Sequence, residues 1–555
     1  MFVLRSAWPN ACVAVASLAV LCACGGGGGG GVSPAPPSNP GGNGPVSPDP
    51  APADISFVRD NDAGLNERAF GGGALTLMSD PELFSGGIAA ADYDGDGDVD
   101  LYVVGGNTTP NHLYQDQGDG TYVEVAASVG LDLTHWGSGP AFGDVDGDGD
   151  LDLFIGAVEG APIHLFENRL REEGRFVDVT PLTGVVDTAL NTMGGTFYDY
   201  DRDGHLDLFL THWDNPYVPG VDTQTVWRNN GDWTFTSQGL ESGISETLVE
   251  DEEDFSFAAN FADIDNDGDG DLLMSADFND SQVYLNNDDG TFTNITDTDV
   301  IVDQSGMGGA VGDFDNDGDM DWFVTSIYNL DETGGNKFGN RLYRNDGTGV
   351  FEDVTTVSRT DDGGWGWGAC AEDFDNDTRV DIVHVNGWLN LVEKDYRNIP
   401  VRFFHNRGDH TMVFRDRAEE VGLKNDGQGR GIACFDAEGD GDVDIVLSNN
   451  GPDNVVLYRN TTDNGNHWLG VRLQGAGRNT KGVGARITVT TTEGTQIRDL
   501  GGKNHYVSHS PLEEHFGLRS ATTADITVRW PDGSTTEMRD VAADQRITIA
   551  HRERS

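Results

Sequence analysis

Runs of a few apolar residues, set between glycine-containing acidic turns, recur along most of the chain. Ser138-Gly139-Pro140-Ala141-Phe142-Gly143 and Gly306-Met307-Gly308-Gly309-Ala310-Val311-Gly312 lead into such turns. Leu101-Tyr102-Val103-Val104, Leu151-Asp152-Leu153-Phe154-Ile155 and Ile445-Val446-Leu447 leave them. Short runs of this kind, bounded by Gly, Asp and Asn, read as strands. A third run follows in each repeat, as in Asn340-Arg341-Leu342-Tyr343. A turn such as Asn345-Asp346-Gly347-Thr348-Gly349 then leads to a fourth, Phe351-Glu352-Asp353-Val354-Thr355. Four antiparallel strands per repeat, repeated seven times, predict an all-β chain with a seven-bladed β-propeller over residues 55–460. The last repeat ends at Tyr458-Arg459-Asn460 without a fourth strand. Ile55-Ser56-Phe57-Val58 resembles the fourth strands elsewhere, so the N-terminal strand is expected to complete blade seven and remove the exposed edges.

After Asn460 the acidic turns stop. Trp468-Leu469-Gly470-Val471-Arg472-Leu473 and Ala485-Arg486-Ile487-Thr488-Val489 alternate like half-buried strands, and Ile526-Thr527-Val528-Arg529-Trp530 runs into the turn Pro531-Asp532-Gly533. Residues 461–555 therefore predict a small, sandwich-like β domain.

The acidic turn is a nine-residue pattern with steps of 50 to 64 residues between copies. Places 1, 3, 5, 7 and 9 are Asp92, Asp94, Asp96, Asp98 and Asp100 in the first copy, and Asp144, Asp146, Asp148, Asp150 and Asp152 in the second. They are Asp199, Asp201, Asp203, His205 and Asp207 in the third, and Asp263, Asp265, Asp267, Asp269 and Asp271 in the fourth. The fifth has Asp313, Asp315, Asp317, Asp319 and Asp321; the sixth has Asp373, Asp375, Asp377, Arg379 and Asp381; the seventh has Asp436, Glu438, Asp440, Asp442 and Asp444. Places 1, 3 and 5 with glycine at 6 are similar to the first half of an EF-hand loop, but no Glu stands at place 12 and no helices flank it. Place 7 can be His or Arg, so it is expected to offer its backbone carbonyl. Four hard oxygen donors per loop suit Ca2+, up to seven ions in all. Copy six, with Thr378 and Arg379, is expected to be the weakest site.

Composition sharpens this picture. There are 94 Asp and Glu against 34 Lys and Arg, a formal charge of −60, which excludes nucleic acid and anionic lipid headgroups as partners. Among five cysteines only Cys370 and Cys434 lie outside the leader, so the chain is no disulfide-dense scaffold; they are expected either to face each other between blades six and seven or to point apart.

Residues 1–23, with Arg5 and an apolar run from Ala11 to Ala23, read as a signal peptide. Its end, Leu21-Cys22-Ala23-Cys24, resembles the lipobox of bacterial lipoproteins, which implies lipidation of Cys24 and anchoring in the bacterial cell envelope, on the outer membrane or cell surface. Residues 24–54 are Gly-, Pro- and Ser-rich and are expected to form a flexible tether.

The repeats resemble FG-GAP/VCBS repeats, as found in integrin α-subunit propellers and bacterial surface proteins. Gly484-Ala485-Arg486, His515-Phe516-Gly517-Leu518 and Trp530-Pro531-Asp532-Gly533 resemble the ASPIC/UnbV domain. The combination is similar to the cartilage acidic protein family and its bacterial relatives. That resemblance transfers no catalytic residues, and His515 reads as a packed or capping histidine.

Strand one of each blade ends in an acidic loop, so all the loops are expected on one face. The opposite face then collects Trp136, His212, Trp213, Tyr217, Tyr328, Trp365, Trp367, Trp388 and Arg430, several of them on long loops, as a ligand-binding surface. Two functions remain open. One is a monomeric, non-catalytic adhesion module for an extracellular glycan or protein. The other is a propeller-based extracytoplasmic enzyme, polysaccharide-active or modifying. Convergence of His135, His212 and His384 on one pocket would favour the enzyme, and scatter the binding module.

Overall fold

A computed structural model of the chain describes residues 55–66, 83–186, 188–216, 218–247, 253–330, 337–388, 396, 398–408, 412–450 and 455–552. The signal peptide, the tether, Cys24 and Tyr217 lie outside the described residues.

Among the described residues, seven antiparallel units of four strands follow one another. Their first strands are Ile88–Ala91, Gly137–Gly143, Thr192–Tyr198, Glu253–Ala262, Gly309–Gly312, Gly366–Glu372 and Gln428–Phe435. Each runs into an acidic loop, and a second strand leaves it on the opposite heading, starting at Asp100, Asp152, Asp207, Asp271, Asp321, Asp381 or Asp444. The first strands touch in succession from unit 1 to unit 7, and that of unit 7 touches that of unit 1. The result is an all-β, propeller-like ring. Unit 7 takes its outer strand from the N-terminal side: Phe57–Asp60 pairs antiparallel with Val456–Asn460, Phe57 opposite Asn460.

The C-terminal part forms two sheets. His467–Gln474 pairs with Glu514–Arg519 and, in parallel, with Gln545–Ala550. Arg486–Thr490 lies between Thr495–Asp499 and Thr523–Arg529, which pairs onward with Thr535–Ala542. Leu469, Val471, Ile487, Val489, Phe516, Ile526 and Val528 from both sheets fill one core.

One segment of this domain leaves it. Gly501 to Leu512 enters the centre of the ring as a finger. Ser508 and His509 run parallel to Ile88 and Ala89 as an added strand on unit 1. The finger's backbone and short polar side chains meet the first strands around the ring. Phe261 N donates to Gly502 O (2.8 Å), Ala369 N to His505 O (3.0 Å), Ile88 N to Val507 O (3.2 Å) and Ile432 N to Ser508 Oγ (3.0 Å). This approach explains the glycines of the inner strands. A Cβ at Gly87 would stand 2.0 Å from Val507 O, and one at Gly308 2.8 Å from His505 O. Cys370 and Cys434 are both buried and free, in first strands of adjacent units; burial and the neighbouring Cys370 thiol push the Cys434 thiol up.

Candidate metal centres

Each acidic loop is held by its own carboxylates. The place-1 carboxylate accepts the backbone N–H of place 6: Gly97 to Asp92 (3.1 Å), Gly149 to Asp144 (3.0 Å), Gly204 to Asp199 (3.0 Å), Gly318 to Asp313 (3.1 Å) and Gly441 to Asp436 (2.9 Å). Place 6 has φ near +100° in these glycines, for example +103° at Gly97. That is the left-handed region which glycine enters without strain. Copy six forces Thr378 there, at +78°.

Place 9 ties the loop to the sheet. One oxygen of Asp152 accepts from Val145 N (2.9 Å) and the other from Asn168 N at the end of the third strand (2.9 Å). Asp100, Asp207, Asp271, Asp321 and Asp444 do the same in their units. These aspartates are buried, and burial pushes Asp100 up to about 9 and Asp271 up to about 8. At place 1, burial followed by the neighbouring carboxylates raises Asp199 to about 7. Asp313, also about 7, is raised by the same two effects against the opposing charge of Arg498.

Several of these clusters can hold a metal ion. Ligand oxygens of Asp144, Asp146 and Asp152, of Asp92, Asp94 and Asp96, of Asp199, Asp201 and Asp203, and of Asp263, Asp265 and Asp271 lie within 4.8 Å of one another. Asp199 Oδ1, Asp263 Oδ1, Asp375 Oδ1 and Asp381 Oδ2 are buried with no hydrogen-bond partner among the described residues. A buried, unsatisfied carboxylate oxygen is costly unless a cation meets it. The all-oxygen donor set fits a hard divalent ion. Copy six differs: His405 Nε2 stands 3.2 Å from Asp375 Oδ2, and Arg379 pairs with Asp377. The place-7 side chains of Asp150 and Asp269 turn to Arg171 and Arg202, each at 2.7 Å.

A second recurring residue escaped the sequence reading. The asparagine closing the third strand donates Nδ2 to the place-2 carbonyl of the preceding unit's loop. Asn168 bonds Tyr93 O (2.8 Å), Asn229 Val145 O (2.8 Å) and Asn286 Tyr200 O (2.9 Å). Asn345 bonds Ile264 O (2.7 Å), Asn406 Phe314 O (2.8 Å) and Asn460 Phe374 O (2.8 Å). The repeated Asn after an apolar pair, as in Leu-Phe-Glu-Asn168 and Leu-Tyr-Arg-Asn345, was the available signal.

The C-terminal domain covers the loop face. Arg472 Nη1 donates to Gly97 O (2.8 Å), Arg478 Nη1 to Asp146 O (2.7 Å), Arg486 Nη2 to Asp263 O (2.8 Å) and Arg546 Nη2 to Asp436 O (3.2 Å). Thr480 bonds Asp144, and Arg529 pairs with Asp263. His515, lowered to about 3 by burial, meets Asn376 Oδ1 at 2.6 Å, so it packs against a loop. The domain carries twelve Lys and Arg against eleven Asp and Glu, in a chain of net charge −60. Its cations are thus concentrated where the ring is most acidic.

At the other end of the ring the predicted ligand residues converge, but mostly inside. Trp365, Trp367, Trp388, His212 and Arg430 are buried. Trp388 stacks on Trp365 at 4.7 Å and on Phe84 at 5.5 Å, while Arg430 lies 4.3 Å over Trp367 and donates to Leu83 O, Gly387 O and Gly429 O. Burial lowers Arg430 to about 9. Phe84 and Tyr506, which sequence reading missed, complete this plug, Tyr506 OH donating to Phe84 O (2.9 Å). The expected open surface is instead largely a core, because the hole of the ring must be filled by side chains. Trp136, Trp213 and Tyr328 remain half-buried. The three histidines scatter: His135 contacts His164, His212 bonds Thr192, and His384 lies 3.1 Å from Asn340.

Comparison with known proteins places two families on the chain. A model of the FG-GAP-like repeat matches residues 84–155, 263–324 and 329–384, and a model described as ASPIC and UnbV matches 475–555. The chain is 25% identical over 478 residues to cartilage acidic protein 1 of Xenopus tropicalis, covering 71% of this chain and 70% of that one. It is 26% identical over 490 residues to the Mus musculus protein, covering 74% and 73%. Among solved structures it resembles an Agrocybe aegerita lectin that recognises non-reducing terminal N-acetylglucosamine (TM-score 0.38, 16% identity, 60% of this chain and 79% of the other). It also resembles a GH74 enzyme of Niastella koreensis (TM-score 0.34, 13% identity, 82% and 66%). Likeness at that level says nothing about function.

Proposed function

For a chain that joins FG-GAP-like repeats to an ASPIC and UnbV domain, we propose a calcium-dependent binding module: a seven-bladed propeller, lipid-anchored through Cys24 in the cell envelope, that captures an extracellular glycan or protein. The carrying observation is the set of buried loop carboxylate oxygens without hydrogen-bond partners, Asp199 Oδ1 and Asp263 Oδ1 among them. Places 1, 3, 5 and 9 would hold the ion, place 7 adding its carbonyl, and the ion would supply the positive charge that lets these carboxylates stay ionised together. The ligand face is the aromatic end, with Trp136, Trp213 and Tyr328 as contacts and the Trp365–Trp388 stack as their floor. The indole N–H groups of Trp365 and Trp388, buried without an acceptor among the described residues, support a ligand that brings oxygen acceptors. The scatter of His135, His212 and His384 supports binding over catalysis.

The test is a glycan and protein array probed with the purified chain, with and without chelator, alongside Trp213→Ala and Tyr328→Ala. Capture should need Ca2+ and be lost in the variants. A ligand bound equally well by all of them would move the site elsewhere. Incorporation of labelled palmitate that Cys24→Ser does not abolish would remove the lipid anchor.

A further inference from the structure

The ring closes between unit 7 and unit 1, and that seam is built unlike the other six. Where the other units end their third strand in asparagine, unit 1 has Asp116. Its Oδ1 accepts from Gly118, Asp119 and Gly120 N–H, and its Oδ2 is buried with no partner among the described residues. An ionised carboxylate has no proton to donate, so the amide clasp that links every other pair of units cannot form here.

Arg459, the residue before Asn460, reaches across the gap instead. Its guanidinium donates to Gly120 O in unit 1. It pairs with Glu438 and, at 3.3 Å, with Asp444 in its own loop. Its Nε lies 3.3 Å from Asp60 Oδ2 on the N-terminal strand that completes unit 7. We infer that Arg459 is both the clasp of the closing seam and the resident cation of the unit-7 loop, which therefore takes no divalent ion.

The comparison within the repeats carries this. The residue equivalent to Arg459 is Gln115, Glu167, Arg228, Leu285, Arg344 and His405 in units 1 to 6. Arg344 turns to Glu352 on the fourth strand. Arg228 meets Asp201 and Asp203 at 2.5 and 2.6 Å but leaves Asp199 Oδ1 buried and unsatisfied, so that loop still wants an ion. Arg459 alone spans places 3 and 9, and Arg546 stands 3.5 Å from the place-1 Asp436. The loops of units 1, 2, 5 and 7 have no buried carboxylate oxygen without a partner among the described residues, and of these only the unit-7 loop holds a guanidinium between places 3 and 9. A guanidinium keeps its charge at any physiological pH, so a divalent ion between Glu438 and Asp444 would face a fixed like charge.

The inference rests on the calcium reading of the other loops, and the experiment separates the two. Bound Ca2+ is counted on the full chain by native mass spectrometry, and hydrogen exchange of Phe57–Asp60 is followed in chelator and in Ca2+. Asp148→Asn, in the unit-2 loop, should lose one ion. Glu438→Gln with Asp440→Asn should lose none. Arg459→Gln should gain one ion and, in chelator, exchange Phe57–Asp60 at least tenfold faster, with Ca2+ restoring protection. If Arg459→Gln folds poorly, adding Asp116→Asn supplies the missing amide clasp and should restore protection. Loss of an ion from Glu438→Gln/Asp440→Asn overturns the resident-cation assignment. Unchanged exchange at Phe57–Asp60 in Arg459→Gln overturns the clasp. If Asp148→Asn leaves the count unchanged, the calcium reading falls and the exchange arm still decides the role of Arg459.

Discussion

The two ends of the ring's central passage solve opposite problems. At the loop end the first strands deliver rows of carboxylates, and oxygens such as Asp199 Oδ1 and Asp375 Oδ1 are buried without partners. At the other end the same strands deliver Trp365, Trp367 and Arg430, which bury one another and Phe84. One end needs cations, from bound ions or from the arginines of the C-terminal domain. The other is held by packing and leaves donors, such as the Trp365 and Trp388 indole N–H groups, without partners among the described residues. Polar order depends on conditions, whereas apolar order depends on shape.

The largest break in that contrast should come from chelation. Each occupied loop adds on the order of 1 kcal/mol when the ion is several-fold above its dissociation constant, and the loops act together. Melting should therefore fall by well over ten degrees in chelator, and exchange should rise first at Arg472, Arg478 and Arg486, where the C-terminal domain rests on the loops. A melting curve indifferent to chelator would end the calcium reading.

Next in size is the apolar end. Trp388→Ala should cost about 3–5 kcal/mol, measured by denaturant unfolding, because it empties the centre of the plug. The loss should be the same with and without Ca2+. A loss that appears only in chelator would mean the two ends are not independent.

The acidic end should also show an inverted pH response. Asp199 and Asp313 are raised to about 7, by burial first and then by neighbouring carboxylates at Asp199, and by the same effects against Arg498 at Asp313. A carboxyl whose folded value lies above its unfolded value near 4 binds more protons when folded. Its stabilising contribution is fully present below about pH 4 and is lost as pH rises through 7. In chelator the melting temperature should thus rise between pH 7.5 and pH 5, and with saturating Ca2+ that rise should flatten. A melting temperature that falls over this range in chelator would show that the raised carboxyls do not govern the apo ring.

The smallest effect is the most local. Asp116→Asn should add about 1 kcal/mol by supplying the missing clasp and removing a buried unpaired oxygen, read as a melting shift of a few degrees in chelator. No gain would mean that an amide at position 116 does not reach the unit-7 loop as its counterparts reach theirs.

The loop end was legible because its signal is local. Nine consecutive residues fix the turn, the glycine at place 6 and the convergence of places 1, 3 and 5, and the pattern repeats. The asparagine clasp was harder to see. Asn168 and Asn460 look like ordinary turn residues until Tyr93 O and Phe374 O are placed beside them. The burial of most of the aromatic end was hidden for a related reason. Trp365 and Trp388 sit among loop-like sequence, and nothing local tells that Phe84 and Tyr506, far away in the chain, cover them.

The sequence by itself determined the repeats, the all-β strand rhythm, the oxygen-only loops and the N-terminal strand that pairs with Val456–Asn460. These depend on residues close together or on a repeated pattern. Tertiary structure alone decided that a C-terminal domain of balanced charge lies over the acidic loops and sends Gly501 to Leu512 into the ring. That arrangement depends on the long-range fit of a backbone segment against glycines such as Gly87 and Gly308, and of arginines against carbonyls such as Gly97 O. Such contacts join residues hundreds of positions apart, where neither spacing nor composition carries the information.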